Sequence, residues 1–470
     1  MLRKSALVRY FSYSVGTLFT VANLFIITTN LEIYQFAVWG VANSLIYIFS
    51  QISQLTYVQY VEKYFPTYSK EKMEGLLYKF LKTIFSTLPV WLLVLFLLNQ
   101  VGYFLKYNAN NLFILFALIA TISVIESAIE VTSKHFLALK KTENFDLNEL
   151  VIFKIFRFIA FYFLLINGYS VYYLLLTNLF IRSLFLIKVL NVNKDGVLNI
   201  IKNILISDIF KNNFDNLKYT FTAFLIKTFQ VTFLNVIFLI LTINSDNITI
   251  ANYSLAILII NNCRPIVSSF SSLLTPIISE NVDKKRDSSS LINFSILFNS
   301  VVIAILTFLV YIVTEYQIII GFFLDQFDER IYPIIFISFF SSCIASLYSP
   351  RFMNILFSNN EKKLLVYVSA NYFICSLAYY LLSNDETFNL VYIYIIYELV
   401  TFLLTRFFKI ENTDKFIINQ FGLSFLFIIF LVFINESTFN ISIQIFLLLF
   451  IFVLIFDSRR VFKLFEQLKS

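Results

Sequence analysis

The chain has 470 residues, of which 59% are hydrophobic and only 14% charged, with a mean hydropathy of +0.79 and a formal net charge of +7. Soluble domains average about half apolar and a quarter charged, so no water-soluble core can absorb this much apolar surface. The positive charge lies mostly in short segments between apolar runs, where an anionic lipid surface accounts for it and nucleic-acid binding need not be invoked.

A helix needs roughly 20 apolar residues to cross a hydrocarbon layer about 30 Å thick. Runs of that length recur almost end to end, and the expected fold is an all-α polytopic membrane protein of about 14 transmembrane helices. Strand-built pores alternate apolar and polar residues, whereas LVYIYIIY and FLLLFIFVLIF are apolar on every side. Met1 to Arg9 has the charge of a secretory signal, but the run that follows it, 10–29, is too long and lacks a convincing small-residue cleavage site, so it is read as the first helix. Spans at 36–57, 83–105, 111–131, 150–167 and 169–187 complete a first set of six. Spans 219–243, 248–273, 291–313, 331–349, 364–383 and 388–405 form a second six, and 416–434 and 439–456 close the chain. The eighth, 248–273, carries Arg264, Pro265 and SSFSS and is followed by Pro276, which predicts a break or kink.

Basic residues give a test that hydropathy did not use. With the N-terminus inside, 29 of the 36 Lys and Arg fall on cytoplasmic segments, 2 (Lys106 and Arg330) outside and 5 within spans, while the outer loops hold 9 acidic residues. Both termini are therefore expected in the cytoplasm.

The longest cytoplasmic connection falls after the sixth span and divides the chain into residues 1–190, a six-helix lobe; 191–218, the connection; 219–410, a second six-helix lobe; and 411–470, two further helices and a tail. A shift of 219 residues superposes Tyr34, Ala37, Asn43, Ser50, Ser53, Leu55 and Thr56 on Tyr253, Ala256, Asn262, Ser269, Ser272, Leu274 and Thr275. Two parallel repeats of this kind place a substrate site between them. Cys263, Cys343 and Cys375 are widely spaced within apolar runs and indicate neither disulfide framework nor metal cluster. His135, at the cytoplasmic end of the fourth span, is read as interfacial. With eight glycines and no GxxxxGK[ST] stretch, ATP hydrolysis is not expected.

The stretches LEIYQFAVWGVANSLIYIFSQISQLTYVQYVEKYFPTY, HFLALKK and SSLLTPIISE resemble the multidrug, oligosaccharidyl-lipid and polysaccharide exporter superfamily, specifically its polysaccharide branch of O-antigen flippases. The resemblance implies two six-helix lobes around a central cavity, two extra C-terminal helices and alternating access. It also implies an undecaprenyl-diphosphate-linked oligosaccharide as cargo, carried across the bilayer of a bacterial inner membrane with H+ or Na+ coupling. Helix seven, with FQVTFLNVIFL, lacks the acidic residue many relatives would carry there, and no coupling role is assigned to it. A small-molecule or multidrug exporter of the same superfamily is the alternative. A membrane polysaccharide polymerase, the enzyme alternative, would need a substantial outer loop bearing catalytic Arg or His.

Charge at the bilayer centre costs about 2.5–3.5 kcal/mol on insertion scales, so each buried charge needs a partner, a wet cavity or a route out. Lys154, about 6 Å from the inner end of its helix, is expected to snorkel, and Arg182 to reach the headgroups. Arg157, Lys227 and Arg264 lie deeper and are the candidate substrate-binding residues, since Arg grips a diphosphate through paired hydrogen bonds and Lys attracts it as a point charge. The competing reading pairs them with Glu126, Glu130 and Glu398. Glu126 and Glu398 are the candidate ion-coupling residues, because a carboxylate in low dielectric takes up and releases a proton readily.

Overall fold

The computed structural model describes residues 2–54, 56–104, 111–139, 143–191, 217–284, 288–289, 291–292, 295–296, 299, 344–345, 348–357, 360–382 and 389–405. The expected spans 416–434 and 439–456, and most of 291–313 and 331–349, lie outside them. Among the described residues regular structure is helical throughout, and seven helices are long and apolar enough to cross a membrane. The chain is a multi-pass membrane protein.

The helices are α1 (Leu2–Asn30), α2 (Ile33–Ser53), α3 (Tyr57–Tyr64), α4 (Lys70–Phe85), α5 (Leu88–Gln100), α6 (Leu112–Ala138), α7 (Glu143–Leu147), α8 (Phe153–Ile166), α9 (Val171–Asn191), α10 (Leu217–Asn244), α11 (Asn247–Asp283), α12 (Glu361–Leu382) and α13 (Asn389–Thr405). A π turn, Asn148–Ile152, joins α7 to α8. Short turns alternate the helix direction, giving a near end, where α1 starts, and a far end.

Environment follows composition. α2 is the most enclosed of the spanning helices, and its buried stripe runs from Phe36 to Ser53. α4 and α5 form one span of which little is enclosed, and Val90, Leu93, Phe96 and Leu97 face outward, as a lipid-facing surface requires. The helix that carries this span starts well before residue 83, at Lys70. The lysines at 72, 79 and 82 suggest a loop, but Met73, Leu77, Phe80, Leu81 and Ile84 recur at helical spacing and are buried. At the far end, Gly168 (φ 71°) reverses the chain between α8 and α9, its N–H donating to Leu165 O and the next N–H to Leu164 O.

The expected break in the eighth span is not found in α11. It runs unbroken from Asn247 to Asp283 through Pro265 and Pro276. A proline removes one backbone bond and crowds the preceding turn, but here the helix continues on both sides, held at its start by α1 and α2 and at its end by α3. The two helices related by the 219-residue shift, α2 and α11, pack against each other with Ala37 and Ala256 both buried. Their approach is close enough that a Cβ on Gly40 would fall 1.8 Å from Ser254 Oγ.

Candidate functional site

A cavity of about 580 Å³ runs through the first half of the bundle. Among the described residues it is walled by α1, α2, α6, the π turn, α8 and α9, with only Leu258 and Asn261 of α11 from the second half. Among the described residues its walls thus come mostly from the first half, whereas the repeat pattern places a site between the two halves.

The lining is polar by the standard of a membrane interior. Asn23, Asn43, Gln51, Gln54 and Ser50 face the same space as Trp39, Tyr13, Tyr47 and Phe161. These polar positions fall on the faces of α1 and α2 turned from lipid, since an amide exposed to hydrocarbon would cost several kcal/mol.

Among the described residues five cations line the cavity, and three are matched. Arg9 Nε stands 3.8 Å from Asp146 Oδ2 of α7. Lys134 Nζ lies 3.0 Å from Glu62 Oε1 and 3.8 Å from Glu130 Oε1. Arg182 donates through Nε to Glu126 Oε1 at 2.6 Å, through Nη2 to Glu126 Oε2, and through Nη2 to Glu149 Oε1 at 3.3 Å. Arg182 thus grips both oxygens of one carboxylate and one of a second, instead of reaching the headgroups.

The remaining two, Lys154 and Arg157, sit three residues apart on one face of α8. Among the described residues neither has a carboxylate within 4 Å or a hydrogen-bond partner, although Glu149 and Glu126 act on them at longer range. Each also feels the positive charge of Arg182, and Lys154 that of Arg157 as well. Lys154 therefore faces the cavity rather than snorkelling to the surface. Its aliphatic stem rests near Gly16, where a Cβ would come within 2.3 Å of Leu150 O, so α1 crosses the π turn at a position only glycine fits. π turns inside helices often mark functional sites, and this one aims Glu149 and the start of α8 inward.

The other candidates fall elsewhere. Lys227 donates to Glu62 Oε2 at 3.4 Å, joining α10 to α3. Arg264 lies on α11, and its side chain is outside the described residues. Glu398, on α13 and fully buried, accepts a hydrogen bond from Tyr348 at 2.6 Å, and Tyr348 receives one from Gln230 at 2.9 Å. Glu126 is occupied by Arg182 and, among the described side chains, not by Arg157 or Lys227. His135 is fully buried in the last turn of α6, its ring edge-on to Phe65 at 5.7 Å. Cys375 is buried beside Asn371, and no group of His, Cys, Asp and Glu able to hold a metal occurs among the described residues.

Sequence reasoning missed Arg182, Glu149 and Lys154. The available signal was the tally of charges per lobe, since Glu126 and Arg182 are both intramembrane and both in the first six spans.

No family model matches the chain, and no curated protein does. Solved structures do. The MATE multidrug transporter DinF-BH is 12% identical with a TM-score of 0.60 over 86% of this chain and 94% of that one. The eukaryotic MATE transporter AtDTX14 is 10% identical with a TM-score of 0.58, over 86% and 95%. An inward-facing multidrug resistance MATE family transporter of the MOP superfamily is 12% identical with a TM-score of 0.55, over 86% and 97%. The chain has the fold of these transporters.

Proposed function

We propose that the chain is an alternating-access transporter of a bacterial inner membrane, with both termini cytoplasmic, and that its cargo is an undecaprenyl-diphosphate-linked oligosaccharide of the O-antigen kind. The fold shared with MATE transporters supports the transport reading. The anionic cargo rests on one observation, that Lys154 and Arg157 face the cavity with no carboxylate in ion-pair range among the described residues. Two such charges in a space partly screened from water draw an anion strongly, because the field is focused by the low dielectric around it.

Size and chemistry suit the headgroup of such a lipid. Arg157 presents the two-pronged geometry that matches phosphate, and Lys154 a point charge beside it. The amides of Asn23, Asn43, Gln51 and Gln54 are donors and acceptors for sugar hydroxyls. The polyprenyl chain stays in the bilayer, so about 580 Å³ has only the polar part to hold. Arg264, one helical turn beyond Asn261 of the cavity wall, belongs to the same proposal. Lys227 contributes only when released from Glu62. Glu398, in its chain with Tyr348 and Gln230, is the better site for H+ or Na+ coupling, and Glu126 serves to hold Arg182.

The second reading is multidrug export, and the solved structures of this fold favour it, being described as multidrug transporters. The aromatic lining of Trp39, Tyr13, Tyr47 and Phe161 fits it as well. Reconstituted protein distinguishes the two. Flipping of a fluorescent undecaprenyl-diphosphate oligosaccharide should fall at least tenfold per molecule in Arg157→Gln and Lys154→Gln, and only partly in Arg157→Lys. Unchanged flipping in both Gln variants, or gradient-driven uptake of cationic drugs without any lipid flipping, would remove the anionic reading.

A further inference from the structure

Glu62 sits on α3 at the near end with a side chain only 2% exposed, and two lysines from different halves of the bundle reach it. Lys134, on α6 of the first half, holds Oε1 at 3.0 Å. Lys227, on α10 of the second half, holds Oε2 at 3.4 Å. The next residue extends the link, since Lys63 O accepts a hydrogen bond from Ser279 Oγ of α11 at 2.9 Å. Two adjacent residues of α3 therefore tie both α10 and α11 to the first half, at one end of the cavity.

The two ends of the lobe contact are built from different materials. At the far end α2 and α11 meet through small and apolar side chains, with Gly40 against Ser254 and Ala37, Val41 and Ile257 buried around them. That joint is dry and close. At the near end the joint is ionic, and its two halves are unequal. Lys134 and Glu62 share a lobe and stay together whatever the lobes do, whereas Lys227 must leave if the near end opens. A buried carboxylate stripped of every counter-ion is strongly unfavourable, and Lys134 removes that obstacle by staying behind. Lys134 also reaches Glu130, so its charge is already shared between carboxylates when Lys227 is in place.

We propose that Glu62 and Lys227 form a charge latch that closes the near end of the transporter, with Lys134 as the resident counter-ion that lets the latch open. This rests on the alternating-access reading but not on the identity of the cargo. Released Lys227 turns a positive charge toward the space opening between the lobes, which gives the cavity one more cation in the open state than in the closed one.

The experiment uses the full chain in nanodiscs with its cysteines replaced and nitroxide labels on Lys72→Cys and Lys284→Cys, both exposed and both at the near end. Pulsed dipolar spectroscopy without cargo reports the separation. Lys227→Gln should raise the long-distance population about fivefold, the effect of losing a part-exposed ion pair, and Glu62→Gln should do the same. Lys227→Arg should keep the closed distribution. Lys134→Gln leaves Glu62 to Lys227 alone and should not open the near end. A wild-type distribution in either Lys227→Gln or Glu62→Gln overturns the latch, and so does equal opening in Lys134→Gln and Lys227→Gln, which would mark a general loosening of the fold. Failure of anion flipping with the labels moving as stated would sink the cargo reading and leave the latch in place.

Discussion

Arg157 and Arg182 line one cavity from neighbouring helices, and what surrounds each sets the cost of removing it. Arg182 holds Glu126 with two donors and Glu149 with a third bond. Arg182→Gln leaves both carboxylates facing each other with no guanidinium between them, and hydrogen bonds to charged groups contribute about 1.5–3 kcal/mol each. We expect a drop in thermal stability in detergent for Arg182→Gln, largely restored by adding Glu126→Gln. Arg157→Gln removes no ion pair and relieves repulsion from Arg182 and Lys154, so its melting temperature should match or exceed that of the wild type while flipping is lost. Equal destabilisation by the two changes would place Arg157 in the structural network and not at the site. The depth of Arg157 was legible from the sequence, because spacing alone places it a turn inside Lys154. Its lack of a partner was not, since which of Glu126 and Glu149 meets which base is set by the packing of α6, α8 and α9. Spacing along one helix carries no information on that choice.

Helices were easier to read than the joints between them. Long apolar runs fix where α1, α6, α10 and α12 exist, because no other arrangement satisfies their backbone in lipid, and those elements lie within a few residues of expectation except where charged turns continue the helix past the bilayer, as at α4 and the end of α11. Close approach is a different matter. Gly40 reads as an ordinary residue in an apolar run, yet the structure presses it on Ser254, with Ser254 Oγ 1.8 Å and Ser254 Cβ 2.3 Å from where a Cβ would stand. Gly40→Ala should push α2 from α11 and destabilise by about 1–3 kcal/mol, and Ser254→Gly in the same molecule should recover most of that, measured by thermal unfolding. Absence of recovery would mean that the cost is not steric contact between these helices. α11 also has a side-chain cap. Asp246 accepts from the Thr249 N–H at 2.8 Å, and the bonds from Thr249 hold its carboxyl below the usual aspartate range. A carboxylate with a lowered pKa stabilises the fold above its unfolded value, about 3.9, and the benefit fades as pH falls through the folded value. Asp246→Ala should therefore cost about 0.5–2 kcal/mol at neutral pH, with the gap to wild type narrowing as the sample is acidified below about pH 4. A gap independent of pH would point to packing and away from the charged cap.

At the scale of the whole molecule, the bundle has two ends, and charge predicts which of them faces the cytoplasm. The matched cluster of Glu62, Lys134 and Lys227, the pair of Arg9 and Asp146, and the lysines of α4 all lie at the near end. The far end is poor in bases, and its turns carry Glu32 and Asp246. Positive residues resist translocation, so the near end is expected to face the cytoplasm, and on the proposed cargo reading the proposed latch at Glu62 guards the entrance. Exposed turn positions give the test. Ser69→Cys and Asn111→Cys, each in a cysteine-free background, sit at the near and far ends. A membrane-impermeant maleimide added to intact spheroplasts should label position 111 and spare position 69, and both should react once the membrane is opened with detergent. The reverse pattern would invert the molecule. The latch would then face outward, and loading from the cytoplasm would begin at the packed joint of Gly40 and Ser254, a contact with no charge pair among the described residues to release.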